Sequence, residues 1–308
     1  MKKFFKIALV NTIFIIISLL LIEFIALFTV YREEIYHIKN EKLNMPTNFS
    51  FWFHNLSQKY VQDSYFDLEE FRPIIGQEYS KPGILLLGCS FTYGEKLEIN
   101  QTFQYKLSHL TKRPVYNLGL SAASIREMLY ILRNDDIRQK LLPENSNIDY
   151  VIYTYIFDQI PRLYANVYRN PSPLFIPTEN YSKLEFRETK NTFNRTYINF
   201  LISRHFAFIV KREPAFKLLR LYLKETKKEI DKLYTKKDKK PKFVLFVYHQ
   251  KDNFDWAILY QDEIIVINAN KLVNIDLMQQ EYRILNDLHP NEKAWDIIIP
   301  ALAKELNL

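Results

Sequence analysis

The chain has 308 residues, 48% hydrophobic and 25% charged, enough to bury a full core and too apolar for a disordered chain. Its formal charge is +7, but the lysines concentrate in one run, Lys227 to Lys240, that also carries Glu229, Asp231 and Asp238. Such a mixed run is a solvated helix end or loop, so no nucleic-acid partner is expected; Cys89, the single cysteine, excludes an intramolecular disulfide and a cysteine zinc cluster.

The first element follows Lys2, Lys3 and Lys6. It is the apolar stretch Ile7–Leu27, whose only charged residue is Glu23. As a helix it spans about 31 Å, the thickness of a hydrocarbon core. It is longer than the apolar region of a cleaved signal, and Ala26 has no small partner two residues away. Residues 1–31 are therefore expected to form a short cytoplasmic tail and one transmembrane anchor, with the rest periplasmic or otherwise extracytoplasmic. Residues 32–80 read as a membrane-proximal segment, with an aromatic stretch at Asn48–Leu56.

From Gly83 strands and helices alternate. Ile84–Leu87 is a short apolar run, the mark of a strand buried on both faces. Asn100–Thr111 has helical spacing, and Pro114–Gly119 is a second strand. Ser121 or Ser124 can cap the next helix, which carries Ile125, Met128, Leu129 and Leu132. Further strands are expected at Asp149–Phe157, Phe243–Tyr248 and Glu263–Ala269, and a last helix at Glu292–Leu306. Such alternation predicts a five-stranded, mainly parallel sheet with helices on both faces, a three-layer α/β/α domain over residues 81–308. The stretch from about 160 to 240 exceeds a minimal crossover and reads as a helical insertion roofing a site at the strand ends.

Three of the five glycines, Gly83, Gly88 and Gly94, surround Ser90, just past the first strand. Ligands of open parallel sheets bind beyond the carboxyl ends of the strands. Ser90 is thus placed as a nucleophile on a sharp turn, its own N–H available to a developing oxyanion, with the Gly119 N–H as a second donor. A serine nucleophile needs a base. His289 lies just before the last helix, and Asp287, two residues earlier, can orient its ring and stabilise the imidazolium. His37, His109, His205 and His249 show no metal-ligand spacing and there is no phosphate-binding glycine loop, so neither a metal nor a cofactor is expected.

In this order the blocks resemble the SGNH (GDSL-type) hydrolase superfamily, in its membrane-anchored bacterial type. The first block appears as Gly88-Cys89-Ser90-Phe91-Thr92-Tyr93-Gly94, the second as Asn117-Leu118-Gly119, and the last as Asp287-Leu288-His289-Pro290-Asn291. The likeness covers roughly residues 83–157 and 243–308. It implies a flavodoxin-like α/β/α fold and ester hydrolysis or acyl transfer through Ser90, His289 and Asp287, with Ser90 and Gly119 lining the oxyanion hole. Small-molecule or glycan esters fall within that chemistry, and an anchored chain points to O-acyl groups of a cell-envelope glycan. The chain departs from the family where Phe157 replaces the asparagine of the third block; Asp158 and Gln159 follow as possible substrate-binding residues. That departure keeps a second reading open, a non-catalytic binding module of the same fold.

Overall fold

The apolar run Gly83–Leu87 forms β1 and is buried at every position. It pairs in parallel with β2 (Val115–Asn117) on one side and β3 (Ile148–Ile156) on the other. A short antiparallel hairpin, β4 (Leu174–Pro177) and β5 (Leu184–Arg187), follows β3 in the chain. β6 (Lys242–His249) then pairs in parallel with β3, and β7 (Ile264–Asn268) with β6. The sheet order is β2-β1-β3-β6-β7, so the chain leaves β1 toward one edge and returns to its other side. That reversal opens a crevice beyond the carboxyl ends of β1 and β3.

This is a computed structural model; it describes residues 70–143, 146–164, 174–178, 181–187, 212–234, 240–249 and 256–308, with Thr12, Ile17, Ser18 and Leu21. Apart from those four, the described residues belong to one unit, 64–164, 172–188 and 210–308. Its described helices are α1 (Ser90–Tyr93), α2 (Phe103–Thr111), α3 (Ile125–Arg133), α4 (Asp135–Leu141), α5 (Gln159–Tyr164), α6 (Arg212–Leu233), α7 (Ala269–Val273) and α8 (Glu292–Leu306).

Side chains alternate across a strand, and the core divides accordingly. Leu85, Leu87, Val151, Tyr153 and Leu245 pack with Met128 and Leu132 of α3 and Leu219 and Tyr222 of α6. Ile84, Leu86, Ile152, Val244 and Phe246 pack with Phe103 and Leu107 of α2 and Trp295, Ile298 and Leu302 of α8. Phe103 stacks on Trp295 with ring centroids 4.9 Å apart. The result is the expected α/β/α arrangement, with all five strands parallel.

Several local expectations shift. α2 begins at Phe103, not Asn100, because the Thr102 side chain accepts from the Tyr105 N–H and caps it there. Of the two candidate caps for α3, Ser124 takes the role, in a reciprocal capping box with Glu127. α6 does not roof the strand ends. Its apolar face, including Leu218, Leu219, Tyr222 and Leu223, is buried in one outer layer of the sandwich. Along the same helix Lys227 pairs with Asp231, Lys228 with Glu225 and Lys232 with Glu229.

The boundary at 80 also moves. Ile75 forms an antiparallel bridge with Val115, so residues 70–80 belong to the α/β unit. The expected anchor, Ile7–Leu27, lies outside the described residues except for Thr12, Ile17, Ser18 and Leu21, and the aromatic stretch Asn48–Leu56 lies outside them altogether. Among the described residues no helix is long and apolar enough to cross a membrane.

Candidate active site

The turn after β1 is built on Gly88, whose φ is 152°. A Cβ there would lie 2.2 Å from Thr92 Oγ1 and 3.2 Å from the Thr154 carbonyl, so only glycine fits. Cys89, fully buried, precedes α1, and Ser90 opens the helix. The Tyr93 N–H donates to the Cys89 carbonyl and the Gly94 N–H to the Ser90 carbonyl, both at 2.9 Å. Gly94, at φ 79°, ends the helix in the left-handed region. The chain thus passes from strand to helix within two residues at the reversal of strand order. Ser90 is held there nearly buried, at 6% exposure.

Asp287 and His289 come from a closed loop before α8. The Ile284 N–H donates to the His289 carbonyl at 2.9 Å, the Asp287 N–H to the Ile284 carbonyl at 3.0 Å, and the Asn291 N–H to the Tyr282 carbonyl at 3.1 Å. Asn291 caps α8 by accepting from the Ala294 N–H, while its Nδ2 donates to the carbonyls of Glu281 and Arg283. α8 is fixed in turn on α2, where Lys106 meets Glu292 at 3.0 Å and Asp296 at 2.6 Å.

Residues 199 positions apart in sequence meet in this crevice. His289 Nε2 lies 2.7 Å from Ser90 Oγ. His289 Nδ1 lies 2.5 Å from Asp287 Oδ1, which also accepts the His289 backbone N–H at 3.0 Å. In the tautomer these contacts require, Nδ1 carries the proton and Nε2 accepts from the serine. Phe91 packs against the imidazole, with centroids 4.9 Å apart. Partial burial works to raise the Asp287 carboxyl. The hydrogen bonds and charge of His289, together with Lys96, override it and hold the group well below the usual carboxylate range.

Three residues that sequence reasoning missed support this site. Lys96 Nζ lies 3.0 Å from Asp287 Oδ2, the oxygen His289 leaves open. Glu95 Oε2 lies 4.0 Å from His289 Nε2 and accepts from Ser121 Oγ at 2.8 Å. Arg72 donates to the carbonyls of Tyr93, Gly94 and Leu97 at 3.0–3.2 Å and lies over the Tyr93 ring. The charged pair directly after Gly94 was a usable signal for the first two. Nothing in the sequence marks Arg72, 21 residues before Tyr93.

The expected donors and binding residues fare differently. The Ser90 N–H opens α1, where the first N–H groups of a helix have no partner within it. Gly119 lies beside the same turn, with a would-be Cβ 2.7 Å from Tyr93 N. Its N–H, however, donates to Asn117 Oδ1 at 2.8 Å, so this expected oxyanion donor is committed locally. Gln159 is fully buried, and its Nε2 donates back to the Thr154 carbonyl at 3.2 Å. It faces the backbone of β3 and is not brought to the crevice as a substrate-binding residue. Asp158 is half-buried in the turn before α5. Arg162 donates to the Ala123 carbonyl at 2.7 Å, tying α5 to the loop before α3. Among the described residues no group of three His, Cys, Asp or Glu could hold a metal ion.

No protein-family model matches the sequence, and no curated protein matches it. Solved structures do resemble it. One is a protein assigned to the G-D-S-L lipolytic family from Desulfitobacterium hafniense DCB-2, 10% identical, covering 73% of this chain and 99% of that one, with a TM-score of 0.42. A member of the lipolytic protein G-D-S-L family from Veillonella parvula DSM 2008 is 13% identical, covering 73% and 98%, with a TM-score of 0.42. A two-domain esterase active on acetylated mannans is 13% identical over 73% of this chain and 49% of that chain, with a TM-score of 0.39.

Proposed function

We infer that this protein is a serine ester hydrolase or O-acyltransferase of the SGNH type, held at the membrane by residues 7–27 and acting on O-acyl groups of a cell-envelope glycan. The observation that carries the chemistry is the unbroken contact from Ser90 Oγ through the imidazole to Asp287, at 2.7 and 2.5 Å. In this reading Ser90 Oγ attacks the ester carbonyl carbon while His289 Nε2 takes the hydroxyl proton. Asp287 holds the ring and stabilises the imidazolium. The Ser90 N–H faces the developing oxyanion. Collapse breaks the ester bond, and the imidazolium returns its proton to the departing alkoxide. Water or a sugar hydroxyl, deprotonated by His289, then releases the acyl group from Ser90.

The test is fluorophosphonate labelling and p-nitrophenyl acetate turnover of the full chain, wild type against Ser90→Ala. Ser90-dependent labelling and turnover are expected. A folded wild type with neither would overturn the reading in favour of a non-catalytic binding module of the same fold. Two observations favour that second reading: the committed Gly119 N–H, and Phe157 in place of a donor. Membrane attachment is tested by fractionating the full chain against one lacking residues 1–31, which is expected to leave the membrane fraction.

A further inference from the structure

Glu95 and Lys96 are adjacent in the chain yet reach opposite ends of the His289–Asp287 pair. Lys96 has a left-handed backbone, φ 63°, which a lysine adopts only at a cost. With that backbone its ammonium rests on Asp287 Oδ2 at 3.0 Å, and the Glu95 carboxylate stands 4.0 Å from His289 Nε2. Ser121 fixes Glu95 from the loop before α3, and Arg72 grips the carbonyls of residues 93, 94 and 97 on either side of the pair. Among the described residues, the imidazole also meets Ser90 and Phe91 of α1, with Tyr248 of β6 against Phe91. Burial pushes the Tyr248 hydroxyl up and keeps it neutral, and the charge of Arg283 in the histidine loop offsets only part of that rise. The imidazole therefore feels two carboxylates, one at each end, and one ammonium that offsets the first.

We propose that Glu95 and Lys96 form a charged bracket that sets the protonation of the His289 base, and that both are positioning residues for the triad. Lys96 neutralises part of the Asp287 charge and so opposes the pull of that carboxylate on a second ring proton. Glu95 acts in the opposite sense, stabilising the imidazolium at the nitrogen where it forms. The pair divides one task by sign: the lysine guards the resting base, and the glutamate favours the charged state reached during attack. The catalytic part of this proposal rests on the esterase reading above; the electrostatic part does not.

The experiment follows the His289 ring resonances against pH by NMR in the full chain, assigned by their loss in His289→Gln, together with the pH profile of kcat/KM. Lys96→Met is expected to move the ring titration and the acid limb to higher pH. Glu95→Gln is expected to move both to lower pH. Each displacement should be at least about half a pH unit, since a charge about 4 Å away is worth about 1 kcal/mol even when fully screened by water. Lys96→Arg should restore the wild-type position. Simple loosening of the loop would not move two variants in opposite directions. Unmoved titrations, or displacements of the same sign, would overturn the bracket. Opposite displacements without Ser90-dependent turnover would support the bracket and overturn the esterase reading.

Discussion

Gly119→Ala tests whether the second strand's loop must press against the nucleophile turn. The added methyl would meet Thr92 Cβ at 2.7 Å, Tyr93 N at 2.7 Å and Asn117 Oδ1 at 2.9 Å. The first two are backbone or directly attached to it, so no side-chain rotation relieves them. Tyr93 N also makes the 2.9 Å bond to the Cys89 carbonyl that closes α1. Overpacking of this kind costs typically about 1–3 kcal/mol, and the rigid contacts place Gly119→Ala in the upper part, about 2–3 kcal/mol. At about 2–4 °C per kcal/mol for a domain of this size, Tm should fall by about 4–12 °C. If the turn yields instead, Ser90 shifts, and a displacement of about 1 Å lowers reactivity by about 10²-fold. Thermal unfolding by circular dichroism reads the first outcome and the rate of fluorophosphonate labelling the second. Ala122→Gly is the control, since Ala122 in the same loop sits at φ 62° and should accept glycine without loss. Gly119→Ala with wild-type Tm and wild-type labelling would refute the close-packing argument.

Asp287→Asn should lower turnover by about 10⁴-fold with little change in p-nitrophenyl acetate KM, because the amide favours the wrong imidazole tautomer. The Asp287 carboxyl is depressed in the folded chain. Its contribution to stability is therefore present above the ordinary value near 3.9 and lost as pH falls below it, so Asp287→Asn should flatten the acid side of a stability-against-pH curve. Lys96→Gly should relieve the left-handed backbone while losing the Asp287 contact, leaving stability within about 1 kcal/mol of wild type and moving the acid limb of kcat/KM upward; urea unfolding beside a pH profile separates the two effects. Arg220 makes two bonds to Asp262, at 2.6 and 3.1 Å, and the Asp262 side chain is 8% exposed. Arg220→Met should cost about 1 kcal/mol in urea unfolding, because Asp262 then keeps Lys224, 3.4 Å away, and Asp262→Asn in the same chain should restore part of it.

The sheet was legible because its strands are continuous apolar runs. Ile84–Leu87 and Phe243–Tyr248 have no amphipathic alternative, and each lies within one residue of the observed strand at either end. The last helix was legible to the residue because Asn291 caps it and its apolar positions keep one face. The serine was legible as a residue type just past a strand end, and the histidine and aspartate as a pair just before the last helix. What escaped depends on where groups point. Gly119 stands beside the nucleophile turn, but its N–H is captured by the side chain of Asn117, two residues back. Gln159 follows β3 closely, but its amide turns inward to the Thr154 carbonyl. The hairpin of β4 and β5 has four residues per strand, too few for a periodic pattern to show. Arg72 acts through backbone carbonyls, which leave no residue-type signature at their own positions.

The bridge between Ile75 and Val115 bears on how the protein can be handled. β2 is an outer strand of the sheet, and an uncovered outer strand is a template for pairing with another chain. Ile75 exchanges both backbone bonds with Val115, at 2.9 and 3.3 Å, and so occupies that rim. A soluble version trimmed at residue 80, where composition alone would place the cut, would bare the rim and lose the Arg72 grip on the Glu95–Lys96 loop. It would be prone to associate edge to edge and would present a slackened nucleophile turn. A version retaining Glu70 onward keeps the shield and the grip together, so the few residues leading into the sheet are the ones a trimmed protein must keep.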